Sequence, residues 1–418
     1  METFTVGDAL VRPYDPGRDR AAVGRIWREI GWIGSDDHEE RALDSFLAPT
    51  RAIVAELDGE AELCVTTADG TLRHGPSVLS MSAVTSVTAS RIARRGGLAS
   101  AMTARALATD AEAGLLTGAL GIFDEGYYDR LGFGTGAAQR WWRLDPASIR
   151  VPPPDRRPVR LSVDDAEEIH RNRLAGALDH GACTIDDHRF TAAEAGWDAS
   201  SFGLGFRDGD GRLTHHVWLD AGDNAEHGPY RVVWMAYESP AHLRELIGLL
   251  RSLADQVVQF DVPEPRGVQV QHLVDRPIRA MNIGSSGKPP GGRQLAWWQC
   301  RMLDVPGVVA ASTFAGPEVR FVLELDDPIE RHLPTPGGWR GVAGRYVVQL
   351  GATSSAEPGD DPSLPVLRCG VGTFTRLWLG VMPATHLPVT DDLDAPGSLL
   401  EQLASTITRH DPQAFFPF

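Results

Sequence analysis

The spacing of apolar residues predicts alternating helices and strands along most of the chain. Residues 20–30 carry apolar side chains at helical intervals, and residues 243–250 do so directly after a β-prone run at 230–237. The alanine-rich stretch that follows Gly97 reads as a helix that ends at Gly114, and the run VRFVLELDDP alternates like a strand. The stretch from Gln294 to Pro306 is predicted to be helical. This mixture predicts an α+β or α/β fold.

Proline-rich and polar segments divide this pattern into parts. The segment VPPPDRRP (residues 151–158) cannot continue a helix or a central strand, so it is predicted to be a linker. GSSGKPPGGR (284–293) is predicted to be a second flexible segment, and the polar stretch 351–365 a long loop within the last domain. A chain of 418 residues is expected to form two or three domains. The predicted domains are 1–150, 151–292 and 293–418.

Composition restricts the partners and the compartment. The net charge of -16 disfavours nucleic acid and anionic membranes as partners and favours a cationic substrate. No apolar run approaches the ~20 residues that span a bilayer, and the first residues lack the apolar core of a signal peptide. The cysteines form no C-x-x-C pair, which is typical of a reduced, cytoplasmic protein without structural zinc: Cys64, Cys183, Cys300 and Cys369.

One stretch carries a pattern with chemical meaning. In VTSVTASRIARRGGLASAM, Arg94, Gly97 and Ala99 form R-x-x-G-x-A between a predicted strand and the start of a predicted helix. Glycines allow a pyrophosphate to approach the backbone, the helix start offers unpaired N–H groups, and the arginines supply positive charge. Because glycine is common where a strand turns into a helix, the pattern alone also fits an ordinary loop.

The next segment adds a second motif. Tyr128, Arg130, Leu131, Gly132 and Phe133 form Y-x-R-L-G-F after one further short strand. Strand, R-x-x-G-x-A turn, helix, strand and Y-x-R-L-G-F together resemble the GNAT superfamily of N-acetyltransferases. The whole chain, with its length, its second α/β segment and its aromatic end, resembles the Eis (enhanced intracellular survival) acetyltransferases.

The resemblance implies a domain plan. Two tandem GNAT-fold domains, each a mixed sheet with a splayed parallel strand pair, would precede a sterol-carrier-protein-like α+β domain, and the protein would assemble as a hexamer. The catalytic domain would be 1–150, because no second R-x-x-G-x-A turn appears before residue 292. The domain 151–292 would lack the cofactor, and 293–418 would be the sterol-carrier-like domain.

The resemblance also implies an acetyl-CoA site. Residues of the first splayed strand and the turn would bind the cofactor: Val84, Ser86, Val87, Arg94, Arg95, Gly96, Gly97, Leu98 and Ala99. The imperfect alternation from Val84 to Val87 is compatible with a β-bulge there. Phe123, on the second splayed strand, is included as well, although the family commonly has a serine there. That departure bears on the choice of acyl chain.

Two residues would act as catalysts according to the resemblance. Tyr128 would protonate the departing thiolate, and the main-chain carboxylate of Phe418 would take part in removing the amine proton. A carboxylate in water is a weak base, with a pKa of about 3.5, and enclosure by Phe415 and Phe416 would raise that pKa. Tyr127 is a competing acid, and the alternatives are a packed aromatic at Tyr128 and an apolar plug at Phe418.

The acceptor would bind near GWIGSDDHEE (31–40), where the family's acceptor-covering helices begin. Trp27, Trp32, Asp36 and Asp37 could hold a cationic amine through ring faces and carboxylates. The alternative is a capped, solvated helix start after Ser35. The histidines of THH (214–216) and DDH (186–188) lack metal-site spacing and are predicted to lie at the surface, so no metal is expected.

These observations predict an acetyl-CoA-dependent N-acetyltransferase that acts by direct attack in a ternary complex. The acceptor would be a primary amine of a cationic small molecule, aminoglycoside-like or polyamine-like, or a lysine side chain. The alternative is a non-catalytic protein that binds acyl-CoA, another ligand or a peptide on the same fold. The intact residues Arg94, Gly97 and Tyr128 favour the enzyme, and Phe123 favours the alternative.

Overall fold

Three β-sheets organise the chain. The computed structural model describes residues 3–124, 126–176, 179–276, 291–333 and 338–414. Within them, the first sheet has nine strands in the order β1-β2-β3-β4-β5-β6-β16-β7, with β10 paired to β4. Its strands are β1 (Phe4–Val6), β2 (Ala9–Pro13), β3 (Arg51–Leu57), β4 (Glu60–His74), β5 (Ser77–Ala89), β6 (Thr117–Gly121), β7 (Gly134–Thr135), β10 (Cys183–Ile185) and β16 (Trp298–Met302).

The second sheet is formed mainly by the middle of the chain. Its order in the described residues is β15-β8-β14-β13-β12-β11-β9. The strands are β8 (Gln139–Leu144), β9 (Val159–Leu161), β11 (Ser201–Arg207), β12 (Leu213–Asp220), β13 (Tyr230–Tyr237), β14 (Phe260–Pro263) and β15 (Gly291–Leu295). The predicted strand at 230–237 is confirmed at both ends.

The third sheet belongs to the last part of the chain. Its described order is β19-β18-β17-β20-β21, with β17 and β20 parallel. The strands are β17 (Val319–Asp326), β18 (Gly344–Leu350), β19 (Ser355–Pro358), β20 (Val366–Gly370) and β21 (Leu393–Asp394). The predicted loop at 351–365 therefore contains an edge strand, β19, which pairs with β18.

Helices cover the sheets and bury apolar stripes against them. The described helices are α1 (Pro16–Glu29), α2 (Asp37–Leu47), α3 (Leu98–Glu112), α4 (Ala166–Gly176), α5 (His188–Gly196), α6 (Pro240–Ser252), α7 (Val305–Ala310), α8 (Val371–Trp378) and α9 (Gly397–Thr406). The stripe predicted for α6 is buried as a unit: Leu243, Leu246, Ile247 and Leu250. None of the described helices is long and apolar enough to cross a membrane.

The prediction of a helix between Gln294 and Pro306 is wrong. Residues 291–295 and 298–302 form β15 and β16, and a helix begins only at Val305. All five residues of β16 are buried, because β16 lies between β6 and β7 in the first sheet. Burial on both faces removes the alternation that marks a strand, so the run looked like an apolar helix.

The first and the second sheet each include strands from distant parts of the sequence. β8 precedes the predicted linker at 151–158, yet it pairs with β14 and β15 of the second sheet. β16 comes from the last third of the chain and completes the first sheet. Strand pairing therefore joins distant parts of the chain within the first and the second sheet.

Candidate active site

A glycine turn opens the N-terminus of α3. Gly97 is the N-cap residue of this helix, with φ of +75°, and Arg95 also adopts a left-handed backbone, with φ of +70°. No side chain caps the helix, so the N–H groups of its first turn lack intrahelical partners and face outward. A Cβ at Gly97 would meet no atom within 4 Å. The glycine is required for the backbone conformation rather than for space.

The strand before this turn separates from its parallel neighbour. β5 pairs with β6 only from Met81 to Val84, whereas β5 itself continues to Ala89. The register with β4 shifts between Val84 and Ser86, which leaves Thr85 as the extra residue of a bulge. The splayed pair and the bulge expected at this position are both present. Beyond the bulge, the side of β5 that faced β6 pairs with no other described strand.

A cleft of about 930 Å³ lies in the splay and reaches the helix start. All ten predicted cofactor residues line it: Val84, Ser86, Val87, Arg94, Arg95, Gly96, Gly97, Leu98, Ala99 and Phe123. The Ser86 hydroxyl is bonded to Thr66 Oγ1 at 2.8 Å, so it also stabilises the sheet. Arg94 and Arg95 are exposed beside the open helix start. An uncapped helix start with two exposed arginines beside it fits a ligand that carries a pyrophosphate.

Tyr128 lines the same cleft from the turn that follows β6. Its side chain is 8% exposed, and burial raises the pKa of its phenol above the usual value of 10. Its hydroxyl forms no hydrogen bond with the described residues. Tyr127 packs edge-on against it, with ring centroids 4.8 Å apart, and the Tyr127 hydroxyl accepts from Ser100 Oγ at 3.3 Å. Tyr128 is thus a protonated phenol among the residues that line the cleft, and its hydroxyl forms no hydrogen bond with another described residue.

The structure separates the four residues predicted to bind the acceptor. Trp32 lines the cleft, but Trp27 is 1% exposed and lies in the core against Trp32, Phe46 and Trp197. Asp36 is the N-cap of α2 and forms a capping box with Glu39. Asp36 and Asp37 are exposed and do not line the cleft. Their predicted alternative role, a capped and solvated helix start, matches this arrangement.

Sequence reasoning missed several residues of the cleft. Glu29, at the end of α1, accepts from the Arg91 backbone N–H at 2.9 Å and pairs with Arg25 at 3.0 Å. This contact holds the start of the turn against α1, and the Arg91 N–H lowers the pKa of Glu29. Trp297 lines the cleft from the segment between β15 and β16. Nothing local in the sequence indicates that Trp297 lies here, because its placement depends on the inserted strand β16.

Two further predictions concern the end of the chain and the THH histidines. Phe415, Phe416 and Phe418 lie outside the described residues, so the predicted role of the Phe418 carboxylate stays a prediction. The prediction that the THH histidines are at the surface is wrong for His215 and His216, which are fully buried on β12. His216 bonds Asn172 Oδ1 at 2.7 Å and accepts from Trp234 Nε1 at 2.8 Å. Within the described ranges, no cluster of His, Cys, Asp or Glu could hold a metal ion.

Comparison with known proteins identifies the fold. No family model matches the chain. An uncharacterized N-acetyltransferase of Streptomyces avermitilis is 24% identical, and the match covers 91% of this chain and 92% of that protein. A GCN5-related N-acetyltransferase from Anabaena variabilis superposes with a TM-score of 0.76 at 12% identity, over 98% of this chain and 100% of that one. Eis1 from Mycobacterium abscessus superposes with a TM-score of 0.74 at 20% identity, over 98% and 100% of the two chains. This chain therefore has the fold of GCN5-related N-acetyltransferases along nearly its whole length.

Proposed function

We propose that this chain is an acetyl-CoA-dependent N-acetyltransferase that acetylates a primary amine. The observation that carries the proposal is the cleft in which an uncapped helix start, a splayed strand pair and the Tyr128 hydroxyl come together. The Streptomyces relative and the Anabaena protein are named as N-acetyltransferases, which supports the same class of reaction.

Each part of the cleft has a task in this proposal. The N–H groups at the start of α3, with Arg94 and Arg95, would hold the phosphates of acetyl-CoA. Bound acetyl-CoA would supply the acetyl group as a reactive thioester. Tyr128 would keep a proton available for the thiolate, since burial holds its pKa above 10.

The amine must lose a proton before it attacks, because an ammonium group has no free electron pair. An unperturbed lysine ammonium has a pKa of about 10.4 and is charged at neutral pH. As the base, we retain the carboxylate of Phe418 that the resemblance to the Eis acetyltransferases implies. Attack would be direct, in a ternary complex.

The remaining implications of the Eis resemblance stay proposals. They are the domain limits at 150 and 292, a sterol-carrier-protein-like fold for 293–418, a hexameric assembly and a cytoplasmic location. The acceptor class implied at first was a cationic amine, aminoglycoside-like or polyamine-like, or a lysine side chain. Of the four residues predicted to hold this acceptor, Trp32 lines the cleft, whereas Asp36 and Asp37 do not.

Binding and turnover of acetyl-CoA test the proposal. Acetyl-CoA is expected to raise the melting temperature, because a ligand of the native state stabilises it. In calorimetry, Arg94→Ala and Arg95→Ala should each weaken acetyl-CoA binding by roughly tenfold, the loss of one charge-assisted contact worth about 1.5 kcal/mol. Arg171→Ala on α4, whose arginine is 64% exposed, is the matched control and should bind normally.

Thiol release in the presence of primary amines then separates an enzyme from a binding protein. Stabilisation by acetyl-CoA without release of coenzyme A would favour the non-catalytic alternative. If acetyl-CoA neither raised the melting temperature nor released coenzyme A, the proposed cofactor would be refuted.

A further inference from the structure

The end of α1 contacts the start of the segment 90–97, which connects β5 to α3 (the cofactor turn). The Glu29 carboxylate accepts from the backbone N–H of Arg91 at 2.9 Å, and the Arg91 guanidinium lies 3.5 Å from the Glu29 backbone oxygen. Arg91 therefore contacts α1 through its backbone and its side chain. Arg94 and Arg95, three and four residues later, line the cleft instead.

The contact between Glu29 and Arg91 belongs to a closed ring. Arg25, one helical turn before Glu29, donates to the Glu29 carboxylate at 3.0 Å and to the Glu62 carboxylate at 2.9 and 3.2 Å. The backbone oxygen of Glu62, near the start of β4, accepts from the Ser90 N–H at 2.8 Å, and Ser90 directly precedes Arg91. The ring thereby fixes α1, β4 and the cofactor turn against one another.

The ring uses the first two N–H groups of the cofactor turn, those of Ser90 and Arg91. It uses none at the start of α3, where no side chain caps the helix. Further along the turn, Arg95 has a φ of +70°, a conformation that a residue other than glycine keeps only when its surroundings support it. A turn that is fixed at its start binds a phosphate at a lower ordering cost.

The same end of α1 also lines the cleft. Ile30 and Trp32 follow Glu29 closely and are among the residues that line it. The N–H groups of Ile30, Gly31 and Trp32 donate to backbone oxygens of α1 at 3.0 to 3.1 Å, so their exchange with water reports opening of the helix end. Glu29 thus connects the cofactor turn to a second part of the same cleft.

We propose that Glu29 is a positioning residue, which holds the cofactor turn in the shape that binds the phosphates of acetyl-CoA and joins this turn to residues 30–32. The inference rests on the proposed binding of acetyl-CoA. Bound phosphates stabilise the turn, and through Glu29 they also stabilise the end of α1. A carboxylate that acted only through its charge would instead oppose phosphate binding, because like charges repel.

Calorimetry with acetyl-CoA tests the position of the turn. Glu29→Ala removes the acceptor of the Arg91 N–H and should weaken binding by about tenfold. Glu29→Gln keeps an oxygen that can accept from this N–H and should bind within about threefold of the unchanged protein. Glu167→Ala is the matched control, since Glu167 also pairs with an arginine four residues away but is 73% exposed on α4; it should bind normally.

Pantetheine separates positioning of the turn from general damage to the cleft. It lacks the pyrophosphate and the nucleotide of coenzyme A, so it has no phosphate for the turn to hold. Glu29→Ala should bind pantetheine as the unchanged protein does, while its affinity for acetyl-CoA falls.

Hydrogen exchange tests the connection between the turn and α1. Acetyl-CoA should slow the exchange of the backbone N–H groups of residues 30–32 in the unchanged protein, because a bound ligand stabilises the segments that it orders. In Glu29→Ala saturated with acetyl-CoA, this slowing should be lost, whereas exchange at the start of α3 should still be slowed.

These measurements can contradict the inference in separate ways. Tighter binding of acetyl-CoA by both Glu29→Ala and Glu29→Gln would show that the carboxylate acts by repulsion. Equal weakening of acetyl-CoA and pantetheine, or no change in either, would show that Glu29 does not position the turn. Exchange at residues 30–32 that does not respond to acetyl-CoA would contradict the connection. If acetyl-CoA does not bind the unchanged protein, the proposed function fails, and the inference with it.

Discussion

Tyr127 and Tyr128 are neighbours in sequence but have different surroundings. Tyr128 is buried with its hydroxyl unshared by the described residues, whereas Tyr127 is only half-buried and its hydroxyl accepts from Ser100. Arg130 also lies over the Tyr127 ring, 5.4 Å from its centroid. The two phenols therefore differ in burial and in whether the oxygen accepts a hydrogen bond from a described residue.

Replacement of Tyr128 by phenylalanine should remove the proton donor and keep the packing. General acids contribute about 10²–10⁴ in rate, so kcat is expected to fall at least about a hundredfold while the Kd for acetyl-CoA stays unchanged. Since burial raises the pKa of Tyr128, it should cause no alkaline decline in kcat below pH 10. Deletion of Phe418 should likewise lower kcat while the Kd for acetyl-CoA stays unchanged.

Tyr127→Phe is the matched control for this pair. It loses the contact with Ser100 and should lower kcat by less than about tenfold. Equal losses in the two variants, or full activity of Tyr128→Phe, would contradict the assignment of the acid.

At the scale of elements, strand β16 contacts the Y-x-R-L-G-F motif at residues 128–133. Arg301 on β16 is fully buried, donates to the backbone oxygen of Leu131 in that motif, and pairs with Asp327 at 2.6 Å. Asp327 in turn accepts from the N–H groups of Ile329 and Val342 at 3.1 and 2.9 Å. The last part of the chain is thereby tied to the turn that follows Tyr128.

Arg301→Met should be strongly destabilising for this reason. The substitution fills the space but leaves Asp327 buried without its ion-pair partner, at a cost of about 3–5 kcal/mol in the free energy of unfolding. The control is Arg150→Ala, which breaks an ion pair with Asp275 whose side chains are 59% and 58% exposed. It should cost less than about 1 kcal/mol. Urea unfolding measures both, and similar losses would show that the buried pair is not special.

At the scale of the whole molecule, a pair of histidines joins three parts of the chain. His74, at the end of β4, stacks on Trp378 with centroids 4.2 Å apart and lies 5.1 Å from the ring of His180. His180 bonds the Leu379 oxygen at 2.8 Å and accepts from the Gly75 N–H at 3.2 Å. Burial, with Arg409 nearby, lowers the pKa of His180 to about 4 and that of His74 well below 6.5.

The melting temperature should therefore fall as the pH drops from 6.5 towards 4. An unfolded histidine has a pKa of about 6.5, so in this window the unfolded chain binds more protons than the folded one, and stability rises with pH. Burial lowers the pKa of further histidines in the same direction: His170, His215 and His216. Differential scanning calorimetry between pH 7.5 and 5 measures the slope.

His74→Phe can retain the stacking on Trp378 while removing one titrating group. Its melting temperature should depend less steeply on pH than that of the unchanged protein. If the melting temperature of His74→Phe depended on pH as steeply as that of the unchanged protein, the proposal that His74 is buried in its neutral form would be contradicted. A melting temperature that does not change over this pH range would contradict it as well.

Features that depend on a few consecutive residues could be predicted from the sequence. The β13–α6 unit, the end of α3 and the turn at Arg94–Ala99 follow from apolar spacing, from glycine and from the order of strand and helix. The chemistry of the turn is local too, because a helix start offers its N–H groups to a ligand wherever the helix lies.

Features that depend on distant partners were decided only by the tertiary structure. β16 is a strand because a gap between β6 and β7 accepts it, and Trp27 is in the core because Trp197 of a later segment packs on it. His215 and His216 are buried because other parts of the chain cover the second sheet at β12. Sequence by itself determined the turn and its charges. The packing of remote segments decided which side chains line the cleft. The spacing of apolar residues shows which face of a helix or strand is buried, but it does not show which other segment covers that face.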